Sequence, residues 1–162
     1  MAKVDYFLKI DGCAGESADA KHKGEIEIES WSWGETNSPN VDTNGGLSAG
    51  KVSMQDVHFT AKVHKGSPLL KLKCASGEHI KKATLTCRKA GTEQQEYLVF
   101  NFEDLLISSY QLGGSAHSDI VPVEQVSFAF STIEMEYKEQ DEKGKLKGPV
   151  KAGWHLAKNI KK

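Results

Sequence analysis

The chain has no run near the ~20 consecutive apolar residues that a membrane-spanning helix requires, so no membrane insertion is expected. Its opening residues, Met1 to Gly12, alternate charged and apolar side chains and lack the continuous apolar core of a secretory signal. The expectation is a protein made and folded in the cytoplasm. If it leaves the cell, it leaves by a route that handles folded protein. Cysteine is scarce: Cys13, Cys74 and Cys87 are odd in number and too few for a disulfide framework, so reduced thiols are the default. Basic charge is not in excess either. Lysine and arginine total 21 against 22 acids, whereas a nucleic-acid binder carries a basic face that neutralises phosphates. No nucleic-acid partner is expected. Internal repeats and low-complexity segments are missing as well.

What remains is an ordinary balance of 38% apolar and 27% charged residues, enough for one core within 162 residues. A single domain over 1–162 is expected. Most of the chain reads with period 2, the signature of strands with one buried face. A first strand runs through Tyr6, Phe7, Leu8 and Ile10. A second starts with Ile26 and Ile28, then changes phase, because Trp31 and Trp33 fall on odd positions. One inserted residue near Glu29 or Ser30 explains the change, as a β-bulge does. Similar phase changes occur around Asp56 and between Phe130 and Ile133 within Val121–Tyr137. Further strands are expected at Ala83–Arg88, Tyr97–Phe102, Leu105–Leu112 and near Trp154–Leu156. Bulges bend strands, so the set points to a curled sheet or barrel.

Two segments depart from this pattern. Ser67 before Pro68 reads as an N-cap with proline in the first turn, Gly77 as the stop, and Leu69, Leu70, Leu72 and Cys74 as a short amphipathic face. Residues 37–50 hold Pro39, Gly45, Gly46 and Gly50 and almost nothing large and apolar. They read as an extended glycine-rich loop, and long loops without structure of their own are usually functional or disordered.

Candidate chemistry is weak throughout. Gly45-Gly46-Leu47-Ser48-Ala49-Gly50-Lys51 matches most of a phosphate-binding loop, but that chemistry needs a helix at once, and the residues from Val52 alternate like a strand. Cys74, His79 and Cys87 lack the tight pairing of a zinc site, and Cys87 continues the apolar face of Ala83 and Leu85. No nucleophile elbow appears, and the histidines have no partner motif. The protein is expected to be no enzyme and to carry no cofactor or metal. Trp31, Trp33 and Trp154 are read as core or subunit-interface residues, in preference to ligand stackers.

Taken together, Glu29–Gly34 (Glu-Ser-Trp-Ser-Trp-Gly), Ala49–Thr60, Ser67–Leu70, Ala75–His79, Arg88–Gly91, Gln95–Leu98, Ile107–Ser109, Gly113–Ser115, Pro122–Phe128 and Ala152–Trp154 resemble, in order, the Hcp (haemolysin-coregulated protein) family. That family supplies the inner tube of the bacterial type VI secretion system. The resemblance implies a mainly all-β fold: a tight β-barrel of two packed antiparallel sheets with one short flanking α-helix, like phage tail-tube proteins. It implies self-association into a homohexameric ring, rings stacked into a hollow tube, and effector proteins in the lumen. It also implies a contractile sheath around the tube, a spike protein at its tip, and secretion without a signal peptide. The candidate ring-stacking residues are Asn40, Val41, Asp42, Thr43, Asn44, Gly45, Gly46, Leu47, Ser48, Ala49 and Gly50. Here Pro39, Val41 and Asp42 interrupt what is nearly all glycine in relatives. With Lys162 as its last residue, the chain is expected to carry no fused toxin domain. The alternative reading is a monomeric β-barrel that binds a ligand or partner protein.

Overall fold

A computed structural model describes residues 4–89, 93–117 and 121–162. Ala90 and Gly91, part of one motif above, lie outside them. The main strands are β1 (Val4–Ile10), β2 (Ile26–Ile28), β3 (Ser30–Ser32), β8 (Val57–Lys62), β9 (Ile80–Lys89), β10 (Glu96–Gly113), β11 (Val123–Gln140), β12 (Leu146–His155) and β13 (Ile160–Lys161). Between β3 and β8 lie the short strands β4 (Glu35–Asn37), β5 (Asn40–Val41), β6 (Leu47–Ser48) and β7 (Val52–Met54). The only helix among the described residues, α1 (Ser67–Ser76), links β8 to β9.

The main strands form one nine-stranded antiparallel sheet in the order β13-β12-β11-β10-β9-β1-β2, with β8 and β3 branching from β11. β11 makes this possible because it is long enough to change partners along its length. Its first half pairs with β8 and its second half with β12, while β10 runs beside nearly all of it. The expected two layers are therefore parts of one bent sheet that share β10 and β11. No ladder joins β2 to β8. One residue, Glu29, separates β2 on β1 from β3 on β8, and its N–H reaches the Thr60 carbonyl at 2.7 Å across that seam.

The bend follows the phase changes. Glu29 and Asp56 both sit between strands, where the shifted alternation puts them. The segments expected as separate strands at Tyr97–Phe102 and Leu105–Leu112 are one strand, β10, which changes face at Asp104 (φ 53°). Phe100 and Phe102 point inward before it, Leu105 and Ile107 after it. An aspartate tolerates this left-handed backbone because its short polar side chain can bond locally.

The core is aromatic at its centre. Phe102 packs edge-on to Phe128 (5.2 Å between ring centroids) and lies 5.1 Å from Phe130 and 6.1 Å from the stacked ring of Phe100. Burial pushes the Cys87 thiol, at the end of this core, up to about 12. The outer face of β1 has a second, polar cover made by residues 11–25. There Phe7 stacks on His22 at 4.4 Å and lies 4.7 Å from the buried Arg88 guanidinium.

α1 starts one residue earlier than the Ser67 cap implied, with Gly66 as the cap and Pro68 in the first turn; Gly77 (φ 68°) ends it as expected. Its face is less amphipathic than the spacing suggested. Leu70 is buried, but Leu69 and Leu72 are exposed, because only one edge of so short a helix meets the barrel.

Candidate assembly surfaces

Residues 37–50 are not a structureless loop. They are the outer half of a two-tier β-hairpin, with β4 paired to β7 nearest the barrel and β5 paired to β6 beyond. The tiers meet at Asn37, whose side-chain amide donates to the Gly50 carbonyl at 2.8 Å and accepts the Gly50 N–H at 2.9 Å. A side chain at position 50 would meet the Ser38 carbonyl at 2.3 Å, so glycine is required there. The tip turns between Asp42 and Gly46 through Gly45 (φ 81°). Asn44 and Gly45 supply a small, flexible turn, and period-2 residues are too few for the sequence to announce so short a hairpin. Residues 40–49 are exposed and Gly50 is half-buried. Val41 and Leu47 face each other across the arm at 75% and 77% exposure, with no core beneath them. Lys51 leads directly into β7, so the glycine-rich sequence has no helix to complete a phosphate cradle.

A second surface lies where the core-facing side of the sheet runs out of cover. The cross-strand row Tyr6, Cys87, Leu98, Tyr137, Val150 begins buried at Cys87 and ends with Tyr137 at 45% and Val150 at 72% exposure. In the neighbouring row, Phe100 is buried while Met135, its partner on β11, is exposed. The three tryptophans mark the boundary. Trp31 packs edge-on to Phe100 (5.3 Å) and Tyr6, Trp33 lies against Phe100 and Phe130, and all three are half-buried against the core. The indole N–H groups of Trp33 and Trp154 are buried without a partner among the described residues.

The third surface was invisible in the sequence because its residues come from four strands. On the side away from the core, register aligns Ser32, His58, Ser127 and Ser109 in one row and Ser30, Thr60, Gln125 and Gln111 in the next. Ser30 and Thr60 hydroxyls lie 2.6 Å apart, and Ser127 bonds to His58 Nδ1. His58 is the one titratable residue in the two rows, and there is no apolar side chain. A shallow cavity of about 370 Å³ lies over it. These two rows offer hydrogen bonds in water, with His58 their one ionisable group. The signal that marks them is the small polar residues alternating with Val57, Phe59, Val126 and Phe128.

Comparison with known proteins fits this geometry. The family described as "Type VI secretion system effector, Hcp" matches residues 7–137. Protein hcp1 of Pseudomonas aeruginosa is 42% identical over 159 residues, spanning 97% of this chain and 98% of its own. The crystal structure of Hcp1 from Salmonella typhimurium is similar over 99% of this chain and 100% of that one, with 37% identity and a TM-score of 0.80. The structure of a type six secretion system protein, 30% identical, covers 98% of this chain and 99% of that chain with a TM-score of 0.92. Sequence and fold agree over nearly the full length: the chain belongs to the Hcp family of type VI secretion proteins.

Proposed function

We propose that this chain is a structural subunit of a type VI inner tube, working as a hexameric ring stacked on identical rings. The observation that carries this is the core face of β11 and β12 left open at Met135, Tyr137 and Val150. Apolar sheet of that kind on an isolated subunit costs about 25 cal/mol per Å² left in water, and it lies next to buried core, in contrast to a scattering of single surface residues. A neighbouring copy that covers it makes a heterologous contact, and repetition of that contact closes a ring. Each contact is expected to bury on the order of 800 Å² per partner.

The arm then serves stacking. Val41 and Leu47 stand far from their own core and have nothing to bury against except another ring. With ~1–2 kcal/mol per arm, six arms engaged together hold firmly while each alone stays reversible. The hydroxyl and amide rows are our candidate for the lumen wall, since an uncharged polar face passes varied effector proteins without holding them. In this setting the sheath surrounds the tube and the spike caps it, and the chain itself carries out no catalysis.

Size-exclusion chromatography with light scattering and negative-stain electron microscopy test the reading. Rings at six times the 17.8 kDa of one chain are expected. Tyr137→Glu with Val150→Glu should give folded monomers, because both side chains lose the apolar contact. Deletion of Asn40–Gly50 should leave rings and abolish tubes. A wild-type chain that stays monomeric would favour a single β-barrel that binds a ligand or partner, and unchanged tubes in the deletion would remove the arm from stacking.

A further inference from the structure

A buried polar cluster that the assembly surfaces do not use fastens α1 to the barrel. Glu124 of β11 is 0% exposed. Its Oε2 accepts the Tyr110 hydroxyl of β10 at 2.8 Å, and its Oε1 lies 2.8 Å from Nε2 of His64, off the line of an ideal hydrogen bond. His64 sits in the short link between β8 and α1. Its Nδ1 accepts the N–H of Gly66 at 3.0 Å, and its own backbone N–H donates to Ser67 Oγ at 3.0 Å. Gly66 in turn offers the carbonyl that accepts the N–H groups of Leu69 at 3.1 Å and Leu70 at 3.0 Å.

This arrangement fixes the tautomer. A backbone N–H only donates, so Nδ1 carries no proton and the single ring proton sits on Nε2, toward Glu124. The carboxylate is suited to its part. Burial raises its proton affinity, but the polar contacts of His64, Ser67 and Tyr110 outweigh that and leave it lowered. Tyr110 is pushed up to about 12 by burial and by Glu124, so it remains a donor.

His22 shows the opposite design. Both of its ring nitrogens meet carboxylates at 2.7 Å, Glu25 on Nδ1 and Glu96 on Nε2, so the doubly protonated ring satisfies both contacts. At His64 a second proton has no acceptor. It would point at the Gly66 N–H.

We propose that His64 is an acid-sensitive latch on α1: a proton on Nδ1 removes the acceptor for Gly66 and frees the first turn of the helix from the barrel. The titratable groups packed at the ring are Glu124 from β11 and, through it, Tyr110 from β10; Glu16 reaches only the next residue, where its Oε1 accepts the Lys65 N–H at 3.1 Å. The Glu124 carboxylate favours a second proton on the ring, while the helix start has no acceptor for it. Gly66 has little room to adjust, since even a Cβ on it would meet the Ala14 carbonyl at 2.6 Å. The latch acts within one subunit and works whether or not the chain assembles.

Hydrogen–deuterium exchange of the α1 peptide tests this, with labelling times corrected for the intrinsic effect of pH. Wild-type α1 should lose at least about tenfold protection between about pH 7.5 and about pH 5, while β9 holds its own. His64→Asn keeps an acceptor for Gly66 and cannot titrate, so its α1 should not respond. Glu124→Gln removes the carboxylate that attracts the proton and should move the midpoint to lower pH. The His64 ring, followed by NMR in the wild-type chain, should titrate with the same midpoint as α1 protection. Equal protection at both pH values in the wild type, the same loss in His64→Asn, or an unmoved midpoint in Glu124→Gln would each overturn the latch.

Discussion

Ser131 Oγ donates a 2.8 Å hydrogen bond to Asp104 Oδ2 at the place where two neighbouring strands, β10 and β11, change face together. Glu103 pairs with Thr132 before the crease and Leu105 with Phe130 after it, so the register is kept although Asp104 and Ser131 themselves leave the ladder. The other carboxylate oxygen of Asp104 is 2.6 Å from His79 Nδ1. A left-handed aspartate thus pins the fold line of the sheet from both sides. Asp104→Ala should cost ~1–2 kcal/mol, through lost hydrogen bonds and a Cβ residue kept at positive φ without compensation. Asp104→Gly should recover part of it, since glycine adopts that φ freely. Thermal unfolding of the two variants checks the order.

Stability should fall in acid through Asp19. Arg88, 2% exposed, donates to both oxygens of Asp19 at 3.0 and 2.7 Å and holds that carboxyl well below the usual carboxylate range. A depressed carboxylate contributes stability that is complete above its unfolded value of ~3.9 and disappears as pH falls below it. Urea unfolding between about pH 6 and about pH 2 should therefore show a downward slope that Asp19→Asn flattens.

Breaking the same pair from the other side should be harsher. Arg88→Met leaves Asp19 and Asp5 without their shared cation and removes the guanidinium over Phe7. A loss of about 1–3 kcal/mol is expected, because two partly exposed carboxylates lose their shared cation and its charge-assisted hydrogen bonds. Phe102→Ala, at the centre of the aromatic cluster and 1% exposed, should cost ~3–5 kcal/mol by opening a cavity. Denaturant midpoints measure both.

The thiols should react in order of burial. Cys74 on α1 is half-exposed, whereas Cys13 and Cys87 are buried and burial raises both of their thiols. Native alkylation near about pH 8 should modify Cys74 and leave the other two until the chain unfolds, since the thiolate is the reacting form. Peptide mass spectrometry reads the sites directly.

Asn37 should matter for assembly and not for folding. Its two bonds to Gly50 join the inner tier, where Met54 packs against the core, to an outer tier whose Val41 and Leu47 are exposed. Asn37→Ala should leave thermal unfolding within ~0.5 kcal/mol of wild type and reduce tube length in electron micrographs.

The phase changes near Glu29, around Asp56 and between Phe130 and Ile133 were legible because apolar residues in strands with one buried face must alternate. None is the expected bulge: the first two are breaks between strands and the third is a crease that keeps register, while the register shifts lie at Glu96/Leu98, Ile107/Ser109 and Lys138/Gln140. The crease in β10 was missed, although Phe102 followed by Leu105 carries the same slip, because a break between two apolar runs reads equally well as a turn. The arm reads in sequence as an extended glycine-rich loop: Val41 and Leu47 bury nothing within the subunit, and period-2 patterning registers only what is buried. The hydroxyl and amide rows show in sequence only as polar residues alternating with Val57, Phe59, Val126 and Phe128; that they form one face is not legible, since serines and glutamines on solvent faces look alike wherever they sit.

By itself, the amino-acid order determined the strand content, the places where the alternation slips, the stop of α1 at Gly77 and the family. These depend on local alternation, on turn chemistry, and on motifs that keep their order along the chain. Tertiary structure alone decided which strands share β11, which way Asp104 turns the sheet, where the core face is left uncovered, and which proton His64 carries. Those are properties of neighbours brought together from distant positions, and hydrogen bonding and burial act on that proximity in space.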